Sequence, residues 1–459
     1  MVAAKTIAVL WAGLILAGCA TYTSRPLTAQ RVAADLAVRR TTPFWLARAH
    51  LLLPQLPPLV VHKGQGLTPD LAAVIAVVGD PTLRALRRRE ALARAQVLAA
   101  GLLPNPTFSY GVGIPMNGTG LTRAFQIGLD LPIRSLLTRP AATEAARYHA
   151  QAVDLTVAWQ EWQVAARARA LVYEILIDRR ERRLLAHEVH ARQDSAARLA
   201  AAQAAGYATV GANLAAHLAL ERTEHAQLTV RRDDALRRLQ LKALLGVDAH
   251  QHLRLANHLP LGDFAGQLRA ATWLSGLSRR RLDLLALQRG YKSRDAALRA
   301  TIIGQFPAIT IGVNRARDTS GINTLGGGVT LGLPFFNHHQ GAIAIARADR
   351  RLLYRTYEAR LFAVRSDIHR LLTSMRYLRR QIRTSRSTVH TLNHLETLYR
   401  GAFADHRITA LAYYRLRDHV AAERLTLLKD EARMDQLVVA LETASGRFEW
   451  PQPQAGARS

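Results

Sequence analysis

Cysteine is almost missing from this chain: Cys19 is the only one in 459 residues. No disulfide forms within one chain, so stability must come from packing, oligomerisation or a membrane. After Cys19 no run of 18 apolar residues occurs, which argues against a membrane-spanning helix in the mature chain. Acidic residues are few, 34 against 62 Lys and Arg, and the net charge is +28. Such an excess usually points to nucleic acid or an anionic surface. Here the arginines are scattered along helical segments and build no nucleic-acid module, so a solvated basic surface is expected and no nucleic-acid partner. Enzyme motifs are also lacking. There is no Gly-Xaa-Ser-Xaa-Gly, no phosphate-binding glycine loop and no Cys-Xaa-Xaa-Cys. No catalytic residue, cofactor or enzymatic activity is therefore expected. The 17 histidines invite a metal reading at His187 and His190, beside Glu188, and at His338-His339. On helices rich in exposed polar residues and without cysteines, they read as surface histidines, and no metal site is expected.

What the first twenty residues do contain is specific. Lys5, an apolar run from Ile7 to Ala17 broken only by Gly13, and Leu-Ala-Gly before Cys19 form an n-region, an h-region and a cleavage site. The sequence around Cys19 resembles a bacterial lipobox. That resemblance implies removal of residues 1–18 and lipidation of Cys19, with several acyl chains as a firm anchor. Ala20, in place of Asp, resembles lipoproteins sent on to the outer membrane.

The chain also repeats itself. At an offset of 201, Leu83, Ala85, Leu86, Arg88, Pro106, Gly111 and Val112 fall on Leu284, Ala286, Leu287, Arg289, Pro307, Gly312 and Val313. At an offset of 202, Leu131-Pro132 falls on Leu333-Pro334. Each half reads helix, two strands, long helix, turn, helix. The strands alternate: Phe108, Tyr110 and Val112; Phe125, Ile127, Leu129 and Leu131; Ile309, Ile311 and Val313; Leu325, Val329, Leu331 and Leu333. Between them stand small or polar residues. Ten-residue segments with one apolar face suit a lipid-facing barrel with a watery lumen, and also a soluble sandwich. On the first reading Gln126, Asp130, Thr310 and Asn314 face the lumen. Four strands cannot close a barrel, and an open edge is not tolerated in lipid, so several chains would have to share one.

No proline interrupts the chain from Pro140 to about residue 203, or from 341 to about 401. Each stretch predicts a helix on the order of 90–100 Å long. Tyr354, Tyr357, Leu361, Val364, Ile368, Leu371, Met375, Leu378, Ile382, Ser385 and Val389 follow three- and four-residue spacing, a heptad seam. Leu155, Trp159, Trp162, Ala166, Tyr173 and Leu176 do the same in the first half, interrupted by Arg169.

Over about residues 67–445 the chain resembles the TolC-like outer-membrane efflux family. The strongest stretches are Ala99-Ala100-Gly101-Leu102-Leu103-Pro104-Asn105-Pro106 and Leu333-Pro334-Phe335-Phe336-Asn337-His338-His339-Gln340-Gly341. The resemblance implies a mostly α fold with a small β part. A long coiled-coil α-barrel would carry four strands per chain into a trimeric twelve-stranded transmembrane β-barrel. It implies a homotrimer in outer-membrane lipid, with a long periplasmic portion. It also implies the passive exit duct of a tripartite efflux system, fed by a periplasmic adaptor and an inner-membrane transporter. A protein-secretion duct and a non-transporting periplasmic scaffold remain alternatives. The expected boundaries are a signal peptide at 1–18, an extension at 19–66 and a first repeat at 67–248. A connecting segment at 249–280, a second repeat at 281–448 and a tail at 449–459 follow. The family places its periplasmic tips at the inter-helix turns, here about 203–213 and 399–411. Gly206 and Thr209 fit its pattern in the first turn. In the second, Thr409 fits but His406 replaces the glycine. Asp405, His406 and Arg407 are the candidate periplasmic gate.

Overall fold

The computed structural model describes residues 21–37, 66–256 and 268–447. Cys19 and the expected leader lie outside them. The chain divides into two compact units, Met1–Thr41 and Thr42–Ser459. In the first, Thr28 precedes helix α1 (Ala29–Ala37) and its hydroxyl accepts from the Arg31 amide at 3.4 Å.

The first helices of the second unit among the described residues are α2 (Pro69–Gly79) and α3 (Pro81–Gly101). Both carry proline in the first turn, where its missing N–H costs nothing. Thr68 caps α2 through the Leu71 amide, and Asp80 caps α3 through the Thr82 and Leu83 amides. Strands β1 (Thr107–Gly113) and β2 (Ala124–Pro132) follow, then α4 (Ile133–Ala204) and α5 (Val210–Leu245). Short helices α6 (Ala270–Leu274) and α7 (Leu277–Arg280) lead to the second series. This runs α8 (Leu282–Ile303), β3 (Ala308–Arg317), β4 (Asn323–Gly332), α9 (Gln340–Ala404) and α10 (Ala410–Ser445). From α3 and from α8 onward the element order is the same. At 72 and 65 residues, α4 and α9 reach roughly 110 and 100 Å.

Helix α4 starts seven residues before the proline that sequence reading takes as its boundary. Pro140 lies inside the second turn. That turn is held from outside: Arg139 Nε donates to the Gly101 carbonyl at 2.7 Å, and Thr143 Oγ1 donates to that of Ala100 at 2.9 Å. These bonds to the end of α3 support the helix where proline removes an internal one.

The two series build separate cores. Leu71, Ile75 and Val78 of α2 pack with Leu171, Ile175 and Leu176 of α4 and with Leu241 and Leu245 of α5. Trp273, Leu277 and Leu284 pack with Val364, Ile368, Leu372, Met375, Leu378 and Ile382 of α9 and with Met434 and Leu441 of α10. The seam on α9 differs from the expected one at two places. Leu372 is fully buried and Leu371 only half-buried, and Tyr354 is exposed. A straight helix of 3.6 residues per turn drifts out of a strict heptad, so the buried stripe moves across it.

The four strands form one antiparallel sheet in the order β1-β2-β3-β4. The central pairing, β2 with β3, joins the two series. Strands β1 and β4 are the two edges, with no further strand beside them among the described residues.

Candidate functional site: strand faces and hairpin turns

Register sorts the strand side chains into two faces. Phe108 pairs with Leu129, and Leu129 pairs with Val313. Leu131 pairs with Ile311, which pairs with Val329. These apolar residues share one face, and most are exposed, including Phe108 and Val329. An exposed apolar face across four strands is the pattern of a surface that lipid covers. The other face holds Ser109, Gln126, Asp130, Thr310, Asn314, Thr330 and glycines. Gln126 pairs with Ala316, Gly128 with Asn314, Asp130 with Gly312 and Pro132 with Thr310. The four residues expected at a lumen therefore lie on one face. Glycine at 312 leaves the room that the Asp130 carboxylate occupies across the strand pair.

Arg315 and Arg317 break the pattern. Alternation puts them on the apolar face, at the end of β3 away from the helices, opposite Ile127 and Phe125. The sequence reading of the strands stops at Val313 and misses them.

The two inter-helix turns have matching geometry. Gly206 has a φ of 78° and His406 a φ of 55°. The Tyr207 amide donates to the Ala202 carbonyl at 2.7 Å and the Arg407 amide to that of Ala402 at 2.8 Å. Thr209 and Thr409 cap α5 and α10, each accepting at 3.2 Å from the amide three residues on. Below the turns the chemistry parts. Asn213 Nδ2 donates to Gln203 Oε1 at 2.7 Å. At the equivalent place Tyr413 stacks on Phe403, with ring centres 5.1 Å apart. Asp405, His406 and Arg407 are all exposed. The structure joins two of them directly, Arg407 to Asp405 at 2.5 Å.

The hairpins carry charge inward. Arg169, which interrupts the sequence seam, is 7% exposed. It lies 2.5 Å from Glu442 of α10 and 3.1 Å from Asp70 of α2, and so ties the two series together. Burial raises the Asp70 carboxyl above its ordinary value, and Arg169 opposes the shift. Arg281, also buried, pairs with Asp283 at 2.6 Å and stands over the Trp159 ring. Burial works against the Asp283 charge, yet hydrogen bonds from Arg281 and Arg360 hold its pKa below the ordinary value. Farther along α4, Asp178 accepts from Arg237 at 2.5 and 2.7 Å. Burial nevertheless pushes its carboxyl up to about 6, aided by the like charges of Asp234 and Glu181. Lys429 of α10 reaches Glu181 at 3.3 Å, and Arg192 of α4 reaches Asp418 of α10 at 3.0 Å. Sequence alone gave no sign of these pairings, because most partners are far apart in the chain.

The histidines do not gather. His187 and His190 are exposed, with buried Glu188 between them. His339 Nε2 lies 2.7 Å from Arg134 Nη2, at the junction of α4 with α9. Among the described residues no group of three or more His, Cys, Asp or Glu side chains is placed to hold a metal ion. Among the same residues no helix is long and apolar enough to cross a membrane.

The profile of the outer membrane efflux protein family matches residues 273–447, the second series with the short helix before it. No curated protein matches the chain in sequence. Solved structures match its fold at low identity. A membrane protein from Pseudomonas aeruginosa is 20% identical, with a TM-score of 0.70 over 84% of this chain and 92% of that one. The CmeC outer membrane channel of Campylobacter jejuni is 12% identical, with a TM-score of 0.70 over 95% of this chain and 92% of that one. The outer membrane protein VceC of Vibrio cholerae is 16% identical, with a TM-score of 0.67 over 83% and 97%. At these identities the likeness is one of fold, and it extends well beyond residues 273–447 to both series.

Proposed function

We propose that this chain, whose residues 273–447 match the outer membrane efflux protein family, is a member of that family and the outer-membrane channel of a tripartite efflux system. Its role is that of a passive duct rather than an enzyme. The observation that carries the reading is the sheet. Four strands expose an apolar face on one side, a small and polar face on the other, and two edges that are unpaired among the described residues. Such edges are not tolerated in lipid, and closure removes them. Three copies supply twelve strands and close the ring, so the working unit is a homotrimer. The two long helical hairpins of each copy would then surround a periplasmic duct. A scaffold that transports nothing has no use for the strands. A protein-secretion duct shares all of these features.

Residues 67–248 and 281–448 are the two repeats in this reading, with residues 249–280 as the connection. The leader at 1–18 is removed and Cys19 anchors the chain in lipid. Gln126, Asp130, Thr310 and Asn314 face the lumen. The turns around Gly206 and His406 are the periplasmic end, where an adaptor fed by an inner-membrane transporter would dock. Asp405, His406 and Arg407 line that entrance.

Planar-bilayer recording of the purified protein tests the proposal. Inserted protein should conduct ions, and the conductance should be altered in Asp405→Ala or Arg407→Ala. Protein that inserts and never conducts would contradict a duct. Parental conductance, ion preference and opening in both variants would remove these residues from the gate.

A further inference from the structure

Three arginines stand at one end of the strand rows. Arg315 and Arg317 end the apolar row Ile309, Ile311, Val313 on β3, and the exposed Arg123 immediately precedes β2. All three stand at the sheet end farthest from the helices. None forms an ion pair among the described residues, although arginines along the helices are paired repeatedly, as Arg87 is with Glu161. Asp318, the carboxylate next in sequence, instead accepts from the Ile322 amide at 2.9 Å. The Nε of Arg317 is buried with no hydrogen-bond partner.

An unpaired cation on an apolar sheet face is costly at mid-membrane and tolerated at the headgroup level. Arg315 and Arg317 are the last two apolar-face positions of a ten-residue strand, which is about one membrane thickness when tilted. Their depth is therefore that of the outward headgroups. Guanidinium groups there have five donors each and no carboxylate to satisfy them. Their fork geometry matches phosphate, which they bind through two parallel hydrogen bonds. Phe125, paired with Arg317, adds the aromatic ring typical of that interface.

We propose that Arg123, Arg315 and Arg317 form a phosphate-binding rim on the lipid-facing side of the barrel, which holds the phosphorylated headgroups of outer-leaflet lipid. The inference rests on the channel reading, which puts this face in lipid. The test is to insert the full-length protein into phosphatidylcholine vesicles containing bisphosphorylated lipid A, re-extract it, and count retained lipid by native mass spectrometry. Retention by the parent should exceed that by Arg315→Gln/Arg317→Gln about tenfold, with Arg315→Lys/Arg317→Lys between them. Arg347→Gln, an exposed change on α9, should retain lipid like the parent. Equal retention by the parent and the double glutamine variant, both fully inserted, overturns the rim and leaves the channel standing. So does equal retention of lipid A and its phosphate-free form by the parent. Failure of the parent to insert at all overturns both.

Discussion

His406 occupies, in the second hairpin turn, the left-handed backbone position that Gly206 holds in the first, with φ of 55° against 78°. The backbone hydrogen bonds from residues 205, 206, 207 and 213 recur at 405, 406, 407 and 413, so the turn geometry is shared by the two repeats despite the different residue at this position. A side chain with a Cβ in this region costs about 1–2 kcal/mol, and glycine avoids the cost. His406→Gly is therefore expected to stabilise the second turn, and Gly206→His to destabilise the first by a similar amount. Hydrogen exchange at the amides of residues 405–409 and 205–209 reads the two changes separately. Opposite signs at the two turns are expected; faster exchange in His406→Gly would show that the imidazole supports the turn.

Arg169 is expected to be the costliest single loss on the helices. Arg169→Met removes the guanidinium that the buried Glu442 and the half-buried Asp70 share. Removing one partner from a buried ion pair costs about 3–5 kcal/mol. Chemical denaturation should show a loss of that size, largely regained when Asp70→Asn and Glu442→Gln are added. A loss no larger than that of an exposed arginine would contradict the structure.

Asp178 gives the helices a pH dependence of unusual sign. Its carboxyl is pushed up from 3.8 to about 6 by burial. The folded chain therefore holds the proton more tightly than the unfolded one. This group's contribution is most favourable below pH 4 and is lost as pH rises through about 6. Thermal melts of parent and Asp178→Asn between pH 4 and 7 isolate the effect. The parent should lose stability relative to the variant as pH rises through that window. A parallel pair of curves would mean that Arg237 fully offsets burial.

The faces of the sheet are expected to differ in their tolerance of charge. Val329 pairs with Ile311 near the middle of the sheet, so Val329→Arg places a cation in hydrocarbon at a cost of about 2–4 kcal/mol. Ile127 is a weaker test because its partner in the register is already Arg315. Gln126→Arg, on the opposite face, should assemble normally and change conductance. Yields of heat-resistant oligomer and bilayer recordings distinguish these outcomes; equal assembly defects at positions 126 and 329 would mean the faces are assigned wrongly.

The strands were legible because alternation is a two-residue signal that survives in single segments such as Phe125–Leu131. The duplication was legible for the same reason, through Leu131-Pro132 and Leu333-Pro334. The buried seam was legible only in outline, since drift between 3.5 and 3.6 residues per turn exchanged Leu371 for Leu372. Arg169 read as a fault in the seam because its partners lie in α2 and α10, beyond any local pattern. Likewise, the stacking of Tyr413 on Phe403 joins side chains of two different helices and needed the fold.

In the proposed channel, three chains close one barrel through the edges of the sheet. Edge-to-edge pairing puts β1 of one copy beside β4 of the next, with small polar residues on a shared face. Disulfide cross-linking tests this most directly. Ser109→Cys on β1 is combined in turn with Gly326→Cys, Gly328→Cys or Thr330→Cys on β4, in membranes containing the full-length protein. At least one pair should yield linked dimers and trimers and nothing larger, while the parent yields none. Only monomers from every pair, or a ladder that stops at two or runs past three, would contradict it.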